Sequence, residues 1–319
     1  MGGPLAGFLL RRIAAGAVVL WVVSVLVFSA TYVLPGDPAA RLLGDQGTPE
    51  TIAALREKKG IDRPYLEQYS DWVGSFLTGD IKSLTSDVSI AETLTERWAN
   101  TLTLAAVAFV LTVAIAMPLG VVSGMRAGHA GDHALSTGVL IGLSVPNFVV
   151  AGLLIVTFAL TWNILPPVSV LSAGMAPLDR PEILVLPALA LALPAGAWTS
   201  RYVRAAVADA RTAPNVEAAR LAGLSSTRVI CRHLLPATLG TIAQAMANSG
   251  AFLVGGTVVV EQIFAYPGLG SMLASAVRVK DVPIVSSTSI VVVAMTIAMF
   301  TVADLIGLMM NPRLRRASG

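Results

Sequence analysis

The sequence predicts an all-α membrane protein with six transmembrane helices, and three observations carry that prediction. Hydrophobic residues make up 55% of the chain and charged ones only 13%, about half the charged share of an ordinary soluble domain. Six stretches contain no Asp, Glu, Lys or Arg: 13–36, 98–125, 133–178, 183–200, 233–260 and 282–303. A helix needs about 20 apolar residues to cross the hydrocarbon core. Basic residues also gather in alternate connections, as the topology of a multi-pass protein requires.

The first span follows Arg11 and Arg12. Ile13 to Val33 exceeds the h-region of a signal peptide, about 7–15 residues, and lacks a small-x-small cleavage site, so it is expected to stay as an anchor. Residues 35–100 then form an extracytoplasmic loop with short helices. One is predicted over Thr48 to Lys59, capped by Thr48 with Glu50 in its first turn. Another is predicted with Asp62 as N-cap, Pro64 in the first turn, and Leu66, Tyr69, Val73, Phe76 and Leu77 at near-helical spacing. Tyr65, Tyr69 and Trp72 suit the membrane–water boundary, and packing on the span ends is favoured over ligand contact.

The second span is 98–125. The stretch 133–178 has length for two, but after Trp162 it runs through Pro166-Pro167, Ser169, Ser172, Gly174 and Pro177, which are loop residues, so it counts once. Ile183 to Ser200 is short and carries Pro187 and Pro194, which points to a kinked or tilted helix continuing past Arg201. The fifth span contains Gly255-Gly256, which would permit close helix approach, with packing placed ahead of pore lining. The sixth leads to a basic tail, 313–319.

Placing the N-terminus inside puts 12 arginines on the inner side, against Asp132, Asp209 and Glu217. Both termini are then cytosolic, and the basic excess is explained by topology rather than nucleic-acid binding.

Chemical motifs are sparse. There is no G-x-x-x-x-G-K-[ST], no H-E-x-x-H and no G-x-S-x-G. The single Cys231 leaves no intrachain disulfide. His129 and His133 are four apart but sit among Gly128 and Gly131, read as a solvated turn rather than a metal site. An ion-coupled carrier would place ionisable groups at mid-membrane. The candidates are Glu261 and Asp304, both near span ends, and Asp304 is read as packing against a polar neighbour.

The loop from Arg201 to Pro236 offers a different source of energy. Pro214 opens a short helix, Asn215 to Ala222, which Gly223 stops. Ser225 and Ser226 cap a second, Thr227 to Leu235, ending at Pro236. Such a pair makes a rigid knob. Ala218, Ala219 and Ala222 give it a slim surface, and Glu217 with Arg220 are i, i+3 neighbours. An ordinary interfacial hairpin fits that spacing equally well.

Glu217-Ala218-Ala219, Gly223, His233 and Leu235-Pro236 resemble the EAA loop of inner-membrane permease subunits of binding-protein-dependent ABC importers. Further segments resemble the dipeptide/oligopeptide branch over about residues 8–316. They are Leu34-Pro35-Gly36-Asp37-Pro38, Gly60-Ile61-Asp62-Arg63-Pro64 with Gln68-Tyr69, Gly79-Asp80, Arg97 with Thr101-Leu102, and Ser144-Val145-Pro146-Asn147-Phe148. Glu261-Gln262-Ile263-Phe264, Tyr266-Pro267-Gly268-Leu269-Gly270, Asp304 and Asn311-Pro312-Arg313 extend the match. One departure is Ile81-Lys82-Ser83 after Gly79-Asp80, where the branch often has Gly-x-Ser.

The resemblance implies the type I permease fold of ABC importers in the bacterial cytoplasmic (inner) membrane, with a division into 1–34, the outer loop 35–100, a five-helix core 101–312 with coupling loop 201–237, and the tail 313–319. It implies a non-catalytic transport subunit, half of a translocation pathway shared with a second homologous permease. Two cytosolic ATPase subunits would hold ATP and Mg, this chain no cofactor or metal, and an extracytoplasmic solute-binding protein would deliver the cargo. Glu217, Ala218, Ala219, Gly223, His233, Leu235 and Pro236 would couple to the ATPases; Glu261, Phe264, Tyr266, Pro267 and Gly268 would lie at the outer gate or docking surface. Di- or oligopeptides are the expected substrates, ahead of nickel, haem or sugar-type solutes.

Overall fold

The computed structural model of the chain describes residues 4–33, 36–44, 47–85, 89–172 and 174–310. Leu34-Pro35, Asn311-Pro312-Arg313 and the basic tail lie outside the described residues. Among the described residues, five helices are long and apolar enough to cross a membrane. They are α1 (Pro4–Val33), α5 (Ala91–Met125), α8 (Glu182–Arg211), α11 (Leu235–Ile263) and α13 (Val282–Met310). A further apolar pair is bent and makes a sixth crossing when counted as one broken span: α6 (Ala130–Ser144), then α7 (Asn147–Leu154) continued as a π-helix over Ile155–Thr161, with 95° between the arms. The break falls at Val145-Pro146 because Pro146 has no N–H to donate and its ring forces Val145 into extended backbone, ψ 117°.

One boundary differs from the sequence reading and another agrees with it. α6 begins at Ala130 with His129 at its N-cap position, so His133 is helical rather than part of a turn. α8 runs unbroken through Pro187 and Pro194 to Arg211, in keeping with the expected extension past Arg201.

The chain divides into two compact units. The first is built on Leu102–Tyr266 with the chain from Thr296. Its centre is α8, of which 72% of the most apolar window is buried against 28% for α5. α8 packs along α11 and against α6 and α7. Its approach to α5 is closer than ordinary side chains allow. Ala108, Thr112, Ala116, Gly120 and Gly124 are buried at four-residue spacing on α5, one stripe of a helix. A Cβ on Gly120 would stand 2.5 Å from Val203 Cβ and 2.7 Å from Ser200 O, and one on Gly124 2.7 Å from Val207 Cβ. On the α8 side, a Cβ on Gly196 would meet Ile115 Cγ2 at 2.9 Å. Small residues at such a seam let backbones touch, which drives helix association where lipid removes the hydrophobic term. Gly256 is likewise a packing residue, a Cβ there meeting Leu191 at 3.3 Å and Asn147 at 3.4 Å, whereas Gly255 faces open space.

The second unit is built on Arg11–Thr101 with Pro267–Met295. Its short helices are α2 (Pro38–Leu43), α3 (Pro49–Lys59), α4 (Tyr65–Thr78) and α12 (Leu269–Val279). Thr48 caps α3 as expected, in a reciprocal box with Thr51. α4 starts three residues after Asp62, with Pro64 at the cap position and no side-chain cap bond. Gln68 holds the preceding turn instead, its Nε2 donating to Ile61 O (2.9 Å) and Arg63 O (2.7 Å). The apolar face of α4 packs with Phe28 and Ile290, and Trp72 is 7% exposed. Tyr65 and Tyr69 meet Phe28 edge-on and share hydroxyl bonds with Ser29 and Ser24, and Trp72 Nε1 donates to Ser287 Oγ at 3.1 Å.

Lys280 and Asp281 join α12 to α13. Lys280 adopts φ +58°, a region costly for a side-chain-bearing residue. Its Nζ donates to Gly36 O at 2.6 Å. Burial, with the charge of Arg41, pulls its ammonium below the ordinary lysine value, against the opposing effect of Asp37. Asp281 Oδ1 accepts from Ile284 N and caps α13, while Oδ2 accepts from Ser83 Oγ at 2.6 Å and from Thr85.

Candidate functional site

The knob lies in the first unit. α9 (Pro214–Leu221) opens on Pro214 at its first turn, where a missing N–H costs nothing. It closes in a Schellman turn: Leu224 N–H donates to Ala219 O at 3.2 Å and Gly223 N–H to Arg220 O at 2.9 Å. Gly223 has φ +75°, which a Cβ would strain. Then come α10 (Ser226–Val229) and a π-helical turn over Ile230–Leu234, leading directly into α11. Ser225 takes the cap position of α10 without a side-chain bond.

Pro236 therefore does not end a helix, contrary to the sequence reading. It sits in the first turn of α11 and Ser226–Ile263 forms one continuous helical run. The wider π-turn shifts the hydrogen-bond ladder at the place where proline withholds its donor, and so absorbs the residue that would otherwise stop the helix.

The predicted coupling residues divide between two faces. Val216, Ala219, Val229 and Leu234 are buried in one cluster with Ala116, Val203, Val207, Ile242 and Met246 from α5, α8 and α11. Ala219 is thus part of the base of the knob, correcting its assignment to the slim surface. Glu217, Ala218, Arg220, Ala222 and Gly223 are exposed, and Leu221, which the sequence reading passed over, is 84% exposed. His233 and Leu235 are half-buried and Pro236 exposed. The result is an apolar-seated helix that presents a carboxylate, small residues and one leucine outward.

Beside it lies a second group that the sequence did not single out. Asp132 on α6 accepts two bonds from Arg204 on α8, Nε to Oδ1 and Nη2 to Oδ2, both 2.6 Å. Ser123 Oγ adds 2.7 Å, Gly128 N 3.1 Å and Ser136 Oγ 3.2 Å. The Asp132 side chain is 1% exposed, so a fully hydrogen-bonded bidentate pair is what makes its burial tolerable. Arg211 adds a bond from Nη1 to Met125 O at 2.8 Å. The ends of α5, α6 and α8 are thereby tied together next to α9. The available signal was a lone carboxylate, one of three acids among twelve arginines on that side.

Of the set predicted for the outer gate or docking surface, four residues are buried and Pro267 is half-buried. Glu261, Phe264 and Tyr266 are fully buried at the end of α11, with Ala265 in the left-handed region at φ +50° and Tyr266 N–H donating to Glu261 O. Their side chains are not available to touch a docked protein in this arrangement. Burial, and then the charge of Glu261, raise the Tyr266 hydroxyl above the ordinary phenol value. Phe264 O accepts from Ser169 N at 2.7 Å. Pro267 and Gly268 belong to the second unit, where Pro267 O accepts from Asn100 Nδ2 and Leu269 N–H donates to Thr101 Oγ1.

The chain is thus a multi-pass helical protein with a packed helical knob between α8 and α11. Comparison with known proteins gives the family: the chain belongs to the inner membrane components of binding-protein-dependent transport systems, whose model matches residues 116–316, while the corresponding N-terminal model matches 5–116. It is 32% identical over 321 residues to a protein of Brucella abortus (strain 2308) named as a peptide transport system permease, covering 98% of this chain and 99% of that one. It is 28% identical to the glutathione transport system permease protein GsiC of Escherichia coli (strain K12), covering 97% and 98%. Among solved structures, the inward-facing MetNI methionine ABC transporter matches with TM-score 0.50 at 19% identity, covering 72% of this chain and 98% of that one. The fold is that of ABC importer permeases, and the chain is a multi-pass protein of the bacterial inner membrane.

Proposed function

We propose that this permease imports di- or oligopeptides at the expense of ATP bound, with Mg, on two cytosolic ATPase subunits, and that the exposed face of α9 is where they grip it. The observation that carries the reading is the division of α9. Val216 and Ala219 anchor it to α5, α8 and α11, so a push on Glu217 or Leu221 passes into the spans rather than dissipating in a loose loop. Both termini and the knob lie on the cytosolic side in this account, where twelve arginines meet the positive-inside rule. A second, homologous permease completes the pathway and an extracytoplasmic binding protein supplies the solute. The peptide substrate class is supported by the names of the Brucella and Escherichia relatives.

The test is reconstitution of the chain with its partner permease, ATPases and binding protein in proteoliposomes. Peptides should stimulate ATP hydrolysis and accumulate inside, while nickel, haem and sugars should not. Uptake driven by an ion gradient without ATP would instead support a secondary carrier.

A further inference from the structure

A cavity of about 500 Å³ opens between α6 and α8, on the half of α8 that leads into α9. His133 and Leu140 line it from α6. From α8, Trp198, Arg201, Tyr202 and Ala205 fall at i, i+3, i+4 and i+7, one stripe of a helix, with Arg204 beside them. The Trp198 and Tyr202 rings touch, centroids 4.5 Å apart. The charge in this space does not balance. No lining residue is acidic. The adjoining carboxylate, Asp132, is buried and already accepts from Arg204, Ser123, Ser136 and the Gly128 N–H, so it neutralises Arg204 and is spent. Arg201 is the surplus: it is exposed, with no ion pair or hydrogen bond among the described residues. The His133 ring, the Tyr202 hydroxyl and the Trp198 indole N–H are likewise without a hydrogen-bond partner among them. Four unused donor groups around one space, with one positive charge in excess, suit an oxyanion.

The level of the cavity along α8 says which oxyanion. The uncharged run 183–200 ends at Arg201, so the cavity lies where the span leaves the hydrocarbon. Tryptophan and tyrosine beside arginine are the residues that anchor a helix at headgroup level. Leu140 and Ile141 are exposed on α6 between His133 and the break at Pro146, an apolar surface along which acyl chains can lie.

We propose that this cavity binds the phosphate headgroup of an anionic phospholipid, with Arg201 as its counter-charge and Tyr202, Trp198 and His133 donating to the phosphate oxygens. Basic pockets between transmembrane helices take such headgroups by the same chemistry. The membrane setting follows from the family. That this leaflet is the cytosolic one rests on the function proposed above, and the test does not need it.

The test titrates the purified full chain, in neutral detergent, with dioctanoylphosphatidylglycerol and with dioctanoylphosphatidylcholine, and reads occupancy by native mass spectrometry. The anionic lipid should bind about tenfold more tightly than the zwitterionic one, and Arg201→Gln should remove about that factor. Arg201→Lys should keep part of it, because the charge remains while the planar fork is lost. Arg228→Gln, at an exposed arginine of α10 outside the cavity, should change nothing. An unfolding midpoint at the wild-type value shows that Arg201→Gln is folded, and the wild-type comparison of the two lipids needs no variant. Equal affinity for the two lipids, an unchanged preference in Arg201→Gln, an equal loss in Arg228→Gln, or tighter binding of inorganic phosphate or a dipeptide than of the lipid would overturn the proposal. Neither ATP hydrolysis nor uptake enters the measurement, so its failure leaves the transport reading standing.

Discussion

Gly120→Ala is the sharpest test of how the spans are held. The new Cβ would stand 2.5 Å from Val203 Cβ and 2.7 Å from Ser200 O, where ordinary contact begins at 3.4 Å, so α5 and α8 must part by about 0.9 Å (3.4 − 2.5). Neither obstacle is the end of a flexible side chain. Overpacking of this kind costs about 1–3 kcal/mol, and alanine returns about 1 kcal/mol in helix propensity, leaving a net loss of up to about 2 kcal/mol. Gly152→Ala is the matched control, because nothing lies within 4 Å of where its Cβ would stand; it should gain up to about 1 kcal/mol from propensity alone. The assay is equilibrium unfolding of the purified chain in detergent. Val203→Ala should not rescue Gly120→Ala, since its Cβ and Ser200 O both remain. Equal stability changes for Gly120→Ala and Gly152→Ala would refute the close-packed seam.

Asp132→Ala should cost about 2–3 kcal/mol in the same assay, below the full figure for a broken buried pair because Arg204 is 35% exposed; the exchange Asp132→Arg with Arg204→Asp should recover part of it. Ala265→Gly should stabilise by about 1 kcal/mol, since φ +50° costs alanine and not glycine, and an unchanged unfolding midpoint would count against the left-handed turn. Glu217→Lys, at an exposed position, and Gly223→Pro, whose ring cannot adopt φ +75°, should leave the protein inserted while ATP hydrolysis no longer drives uptake. Wild-type stoichiometry of hydrolysis to uptake in both variants would remove α9 from the coupling path.

The apolar spans were legible because their signal is compositional, and so was α9, where Pro214 and Gly223 mark both ends locally. The α6–α7 bend was not: 133–178 was counted once, but no bend was placed within it, because the 95° angle at Pro146 depends on the packing of both arms. Pro236 misled, because a π-turn several residues upstream decides whether proline stops the helix. Which alanine of Glu217-Ala218-Ala219 faces inward depends on where α5, α8 and α11 come together, information held in no short window. The same is true of Asp132 and Arg204, 72 residues apart.

One measurement tests the central claim, that the outer face of α9 is gripped by the ATPase, most directly. In the assembled, ATP-hydrolysing complex with Cys231→Ala, cysteines are placed at exposed Leu221 and buried Ala219 and treated with a short thiol-to-amine cross-linker. The account predicts that residue 221 links to an ATPase subunit and residue 219 does not. A complex that hydrolyses ATP and transports while residue 221 stays unlinked and freely reactive would contradict it.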